Sequence, residues 1–231
     1  MITPRLDLIL KHISGKSVAD VGTDHAYIPI RLAQRGIKVI ATDIRQGPLD
    51  MAAAHVKKAD CDVELRLGPG LDPISAGETE DIVIAGMGGE MIIKILTADE
   101  EKAKSATLIL QPMNSQYELR QFLYRNGYDI LCEDLAIEEF KVYNLIVAKA
   151  SSSQKNSCEL SNTLADDIDF HLPKELYNHP LFLHLLNKKK REYSRIFSGL
   201  SASAGSDQDQ LNYAKQTLDS ILSIEKEISQ N

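Results

Sequence analysis

Val18-Ala-Asp-Val-Gly-Thr-Asp24 closes an apolar run and opens onto a helix-like stretch, and Lys38-Val-Ile-Ala-Thr-Asp43 follows about twenty residues later. A strand, a glycine turn and a helix, then a second strand ending in an acid, make a site for a nucleoside cofactor. Gly22 would let the backbone approach the ligand, and Asp43 would accept hydrogen bonds from ribose hydroxyls. A dinucleotide site needs G-x-G-x-x-G, so that a pyrophosphate can rest on the helix N-terminus. Here Gly22 stands alone among Asp20, Asp24 and His25. Those carboxylates would repel a pyrophosphate and suit a cationic, phosphate-free ligand. S-adenosylmethionine, with its sulfonium and ammonium groups, is such a ligand.

Working outward, residues 1–150 alternate β-like and helix-like segments. Strands are expected at Ser17–Val21, Lys38–Asp43, Asp62–Leu67, Asp81–Ala85 and Ala106–Gln111. Helices are expected at Leu6–Ile13, Ile28–Arg35, Leu49–Ala59, Glu90–Leu96 and Gln116–Arg125. Such alternation predicts an α/β, doubly wound parallel sheet with right-handed crossovers. The alternation then breaks. Tyr128–Leu135 and Val142–Ala148 are separated only by Ala136–Lys141, too short for a crossover helix, so they should form an antiparallel hairpin. A Rossmann-like sheet with an antiparallel last strand is the class I methyltransferase arrangement, whereas NAD-dependent dehydrogenases keep the sheet parallel there.

Ser151-Ser-Ser-Gln-Lys-Asn-Ser157 is polar and linker-like, which divides the chain into 1–150 and 151–231. Beyond it the pattern is helical. Phe182, Leu185, Leu186, Tyr193, Ile196, Phe197 and Leu200 recur at three- and four-residue spacing. After Ser201–Ser206, so do Leu211, Ala214, Leu218, Ile221 or Leu222, and Ile228. Two amphipathic helices joined by a Ser/Gly turn should fold back as a coiled-coil-like hairpin.

The 231 residues carry a net charge of −7, which argues against nonspecific coating of nucleic acid but not against a local grip on RNA. The three cysteines have no C-x-x-C spacing, so neither a disulfide scaffold nor a metal is expected. No apolar stretch is long enough to span a bilayer, and no secretion signal follows Met1. A cytoplasmic location is the expectation.

Several residues compete for a role in chemistry. Asp24 either caps the helix around Tyr27 or faces the ligand. Gly68-Pro-Gly70-Leu-Asp72 follows the third strand, where it either lines the adenine of the cofactor or simply turns. Ala85-Gly-Met-Gly-Gly89 follows the fourth strand at the edge where open α/β sheets bind ligands. Gly86 and Gly88 would bring backbone close to cofactor and substrate, with Met87 as an apolar wall. Gln111 and Asn114 end the fifth strand at the same edge, and His25 and Tyr27 sit at the mouth of the first turn. Asp7 is a weaker candidate for the cleft. Lys188-Lys-Lys-Arg191 with Arg195 is the one dense basic run, either a solvated helix face or a phosphate patch.

The strings Val18–Tyr27, Ala85–Gly89 and Leu110-Gln-Pro-Met113, followed by a helical hairpin, resemble the bacterial tRNA (adenine-22-N1)-methyltransferase family over nearly the whole chain. The resemblance implies methyl transfer from S-adenosylmethionine to N1 of an adenosine in the D-arm region of tRNA, with the C-terminal helices helping to hold the RNA. On that basis Asp20, Gly22, Asp43, Gly68, Gly70, Gly86 and Gly88 are expected to bind cofactor, and Asp24, His25, Tyr27, Met87 and Gln111 to surround the reacting base. Alternatives are a methyltransferase of the same fold with another RNA or small-molecule acceptor, and a nonenzymatic nucleotide-binding module.

Overall fold

A computed structural model describes residues 2–152, 167–203 and 207–230. The first part runs α1 (Pro4–Lys11), β1 (Ser17–Val21), α2 (Tyr27–Ala33), β2 (Lys38–Asp43), α3 (Gln46–Ala59) and β3 (Glu64–Leu67). It continues with β4 (Asp81–Met87), α4 (Gly89–Ala98), α5 (Glu100–Lys104), β5 (Thr107–Pro112), α6 (Gln116–Arg125), β6 (Tyr128–Glu138) and β7 (Lys141–Ala150). The seven strands lie in the order β3-β2-β1-β4-β5-β7-β6. β3 to β5 are mutually parallel, and β7 runs antiparallel to β5 with Thr107 opposite Lys149 and Leu110 opposite Ile146. The expected Rossmann-like sheet with an antiparallel last strand is therefore present.

Most expected elements coincide with observed ones to within a few residues, and the differences have physical causes. The hairpin strands extend through the expected gap as far as Glu138 and resume at Lys141. The connection is two residues long, with Glu139 in the left-handed region at φ 56°. α3 starts at Gln46, ahead of Pro48, because a proline in the first helical turn removes no needed N–H. α5 was not expected: five residues are too few to show a helical period.

The sheet is covered on both faces, and the strand pleat decides what faces where. Ala19, Val21, Ile82, Ile84, Leu108 and Leu110 pack with Ile92, Leu96, Leu119 and Leu123 of α4 and α6. The alternate residues Val18, Val39, Val83 and Ile109 pack on the other face with Leu8 and Ile9 of α1 and Ile28 and Leu32 of α2. At the strands' amino edge, the buried Asp81 carboxylate accepts from the Ser14 and Gly15 N–H groups at 3.0 and 2.8 Å, pinning the loop into β1.

Contacts group Met1–Glu138 with Tyr143–Lys155 as one unit, and Glu139–Val142 with Asn156–Asn231 as a second. The second contains α7 (Asp167–His171), a 3-10 turn (Lys174–Leu176), α8 (Phe182–Ala202) and α9 (Gln208–Ser229). α8 buries Phe182, Leu185, Leu186 and Tyr193, and α9 buries Ala214, Thr217, Ile221 and Ile224. Lys190, in the middle of α8, pairs with Glu225 near the end of α9 at 2.6 Å, so α9 folds back along α8. Ile221, not Leu222, takes the inward position, and Ile196 of the expected stripe is exposed. α7 was not foreseen; its His171 meets the hydroxyls of Tyr213 and Tyr193 at 2.9 and 3.1 Å. The linker-like stretch Ser151–Ser157 falls largely outside the described residues, as does the end of the Ser201–Ser206 turn. Among the described residues no helix is long and apolar enough to cross a membrane.

One buried ion pair gives a direct test of this packing. Arg120 of α6 grips Glu133 of β6 with Nε–Oε1 2.8 Å and Nη2–Oε2 2.7 Å, both side chains almost wholly out of solvent. Glu133→Leu should lower the unfolding free energy by about 3–5 kcal/mol in urea, because a buried guanidinium loses the carboxylate that grips it on two nitrogens. Adding Arg120→Leu should recover much of that loss.

Candidate active site

The parallel strands all end at one edge, and the candidate residues gather there. Gly22 leaves β1 at φ 81°, a conformation open to glycine, and both Gly22 and Thr23 donate backbone N–H bonds to Thr42 O at 2.8 Å. The turn after β1 is thus tied to the end of β2. Gly68 N–H bonds Asp43 O at 3.0 Å, tying β2 to the loop after β3. Met113 donates to Met87 O at 2.8 Å and Gly89 to Asn114 O at 3.1 Å, which joins the loops after β4 and β5. The edge is preformed by backbone bonds before any ligand arrives.

Asp20 ends up inside this edge, 6% exposed. Burial pushes its carboxyl up to about 6, with Thr23 pulling partly back. A carboxylate held out of water without a positive partner fits a cationic ligand group. Asp43, also buried, accepts from the Arg45 backbone N–H at 2.8 Å, so its carboxylate is oriented at the end of β2. Ile44 and Leu67, large aliphatic residues, are 65% and 56% exposed beside it. Nothing in sequence marks them, because an apolar residue at a strand end reads as core.

The Met87 side chain covers Gly22: a Cβ there would overlap Met87 Cε. The structure thus brings the first turn and the fourth loop together. Asp24 does not cap α2; the cap position is Ala26, itself left-handed at φ 55°. Asp24 is instead exposed and lies 3.3 Å from His25 Nε2. His25, Tyr27 and His55 form a ring cluster with centroids 5.4, 5.6 and 6.2 Å apart, Tyr27 and His55 stacked at 21°. His55 Nδ1 contacts the His25 carbonyl at 3.0 Å. His55 was missed, since one histidine on the polar side of a predicted helix carries no signal.

The remaining glycines differ among themselves. Gly86 adopts φ 76° and lies under Arg5, whose Nη1 would be 3.5 Å from a Cβ there. Gly88 is packed on the Asn114 side chain, and Gly89 on the Asn114 and Ser115 backbone. Gly68 is packed on Pro73 and Gly70 on Ile95, so packing within their own surroundings accounts for both. Gln111 is fully buried and takes a hydrogen bond from Arg5 of α1, two residues before Asp7.

The basic run lies in the second unit and is less free than its sequence suggests. Lys189 is buried against Glu192 at 3.0 Å, Lys190 pairs with Glu225, and Lys188 is half-buried with its ammonium pushed down by burial. Arg191 and Arg195 are exposed and line a shallow recess with His184, Asn187, Lys190 and Ser194. Tyr193 packs inward.

This sheet order with a buried acid and a lone glycine at the first turn defines a methyltransferase, and a family model described as a methyltransferase domain matches residues 2–146. A Bacillus subtilis tRNA (adenine(22)-N(1))-methyltransferase is 31% identical over 214 residues, covering 90% of this chain and 89% of the relative. The chain belongs to the tRNA (adenine(22)-N(1))-methyltransferase family. The crystal structure of the B. subtilis M1A22 tRNA methyltransferase TrmK superposes with TM-score 0.83 at 26% identity, over 97% of this chain and 98% of that one. A Streptococcus pneumoniae protein crystallised with S-adenosyl-L-methionine superposes at 0.78 with 28% identity, over 97% and 99%.

The contact between Gly22 and Met87 is separable by mutation. Gly22→Ala should cost about 1–2 kcal/mol from the left-handed backbone alone, and more from the overlap with Met87. In a Met87→Ala background the cost should fall back to the backbone part, read as a smaller shift of the urea midpoint.

Proposed function

We infer that this chain transfers the methyl group of S-adenosylmethionine to N1 of adenosine 22 in tRNA. The observation that carries the reading is the match to the B. subtilis enzyme across nine-tenths of both chains. The site supports it independently, through a desolvated acid and a single glycine where a pyrophosphate binder would need a glycine-rich cradle.

When bound, S-adenosylmethionine supplies an electrophilic methyl on a sulfonium. The chain's residues bind, orient and exclude water. Asp20 and the backbone at Gly22 would receive the methionine end, Asp20 facing the ammonium, and Asp43 would hold the ribose diol. Ile44 and Leu67 offer exposed aliphatic surface for the adenine, along the loop that carries Gly68 and Gly70. Gly86 and Gly88 bring backbone N–H and C=O groups to the acceptor side. His25, Tyr27, Met87 and Gln111 would surround the target base, with Asp24 near enough to the ring cluster to serve either ligand.

Neutral adenine carries no proton on N1, so the chain needs no general base for the displacement and no covalent nucleophile. Its contribution is alignment of a base taken out of its stack. The product ring is cationic, and carboxylate or carbonyl groups at the edge would stabilise the charge as it develops. In the helical unit, Arg191 and Arg195 are the side chains best placed for tRNA phosphates, Lys190 being paired with Glu225. Lys188 and Lys189 of the expected patch are the poorest, because their ammonium groups are already withdrawn from water.

The decisive assay is transfer from labelled S-adenosylmethionine to an unmodified tRNA transcript and to one with guanosine at position 22. Transfer to the first alone supports the reading; equal transfer to both rejects the site, and none to either sends the search to other acceptors. A second expectation concerns pH. Asp20 titrates near 6 in the free protein, and an ammonium ligand favours its ionised form. Cofactor affinity should therefore rise as pH increases from 5 to 7 and then level off, and Asp20→Asn should lose both the affinity and the pH dependence. The folded pKa is raised, so ionising Asp20 costs stability as pH climbs from about 4 to 6. Asp20→Asn should accordingly raise the melting temperature at pH 7.5, by an amount corresponding to at most about 3 kcal/mol.

A further inference from the structure

His55 stands on the third turn of α3, and it meets the turn after β1 in three places. Its Nδ1 is 3.0 Å from the His25 carbonyl oxygen, across 30 residues. Its ring centroid is 5.6 Å from that of His25, and it stacks on Tyr27 at 6.2 Å and 21°. A carbonyl oxygen only accepts, so Nδ1 carries the hydrogen and the tautomer of His55 is set.

The turn depends on that bond. The Thr23 N–H is tied to Thr42 O on one side, and the Ile30 N–H to Ala26 O on the other. Between those ties, the bond from His55 is the one hydrogen bond that reaches the turn from another element, among the described residues. Ala26 lies there at φ 55°, a region that disfavours any residue with a Cβ. Its methyl packs with Ala52 and Val56 of α3, but a peptide plane can turn over with both neighbouring Cβ atoms almost in place. Packing alone would therefore let the plane between His25 and Ala26 relax, and the His55 hydrogen bond is what holds it. Tyr27 depends on the same residue in another way. Its ring is more than half exposed and, among the described residues, its hydroxyl makes no hydrogen bond, so the rings of His25 and His55 are what orient it.

We propose that His55 is a positioning residue for methyl transfer: with Nδ1–H on the His25 carbonyl and its ring against Tyr27, it holds the turn and the two rings that meet the acceptor base. General-base work is the competing role for a histidine here, and neutral adenine offers no proton on N1 for it to take. The proposal rests on the methyltransferase reading above, in which His25 and Tyr27 line the acceptor side.

The test separates donor from ring on the full chain. His55→Ala removes both, His55→Asn keeps an N–H near the Nδ1 position without the ring, and His55→Phe keeps a ring without the donor. These variants, Tyr27→Ala and the double variant with His55→Ala are measured for kcat and KM on the tRNA transcript, for S-adenosylmethionine affinity and for melting temperature. His55→Ala should lower kcat about 10- to 100-fold, as expected when a reactant is misplaced, with cofactor affinity within about twofold of wild type. His55→Asn and His55→Phe should each restore part of kcat. In the Tyr27→Ala background His55→Ala should cost at least about threefold less, since residues in contact are non-additive. Nitrogen-15 NMR of the free protein should show the neutral His55 ring protonated at Nδ1. A ring protonated at Nε2 instead would overturn the proposal, as would an active wild type indifferent to His55→Ala. A raised KM with kcat unchanged would overturn it in favour of a direct grip on the RNA. Equal losses in all three His55 variants, with a lower melting temperature and weaker cofactor binding, would overturn it in favour of a structural role. A wild type inert on every transcript would overturn the function and the proposal together.

Discussion

The alternation of side chains across a sheet buried on both faces is the constraint on which this molecule depends. Each interior strand must be apolar along its length, so polar chemistry is admitted only where the strands end. Parallel pairing places those ends on one edge. The register that sets Val18 against Val39 and Asp81, and Ile84 against Leu110, therefore also brings Gly22, Asp43, Met87 and Gln111 to the same side. Parity does the rest. Gln111 follows Ile109 by two and shares its face, the face on which α1 packs, and so a residue near the chain's start can reach it.

The buried polar residues then acquire a pattern. At the amino edge Asp81 is satisfied by two backbone N–H groups, and between α6 and β6 Arg120 and Glu133 satisfy each other. Those groups complete the fold. At the carboxyl edge Asp20 is desolvated enough to bind its proton near 6, with no positive partner beside it. Free energy spent on holding such groups half-satisfied is characteristic of a site kept ready for a ligand. The contrast between the two edges separates structure from function more sharply than burial does, since all of these residues are buried.

The strands, the crossovers, the terminal hairpin and the two long C-terminal helices were legible because each rests on a period or a spacing. Gly22 and Asp43 were legible because strand-turn-helix geometry fixes their separation. His55, Ile44 and Leu67 were not: His55 meets His25 and Tyr27 only through the fold, and an apolar residue at a strand end reads as core. The basic run Lys188–Arg195 shows the converse error of composition. Five cations in eight residues look like one surface, but a helix distributes them around its axis: Lys189 is buried against Glu192 of its own helix, and Lys190 pairs with Glu225 of α9.

A reaction without proton transfer makes particular demands on such an edge. Where a general base is needed, the shifted pKa of one side chain can dominate the rate; here the demand is for stiffness and shape. The backbone ties from Gly22 and Thr23 to Thr42, from Gly68 to Asp43 and between the loops after β4 and β5 supply the stiffness, and they do so without using side chains. Met87 laid over Gly22, and Arg5 laid over Gly86, give shape to the space between those ties. Each covering side chain comes from a different element than the glycine beneath it. The position of the reacting groups is thus set by the packing of the whole sheet and its helices, and only secondarily by the loops that touch them.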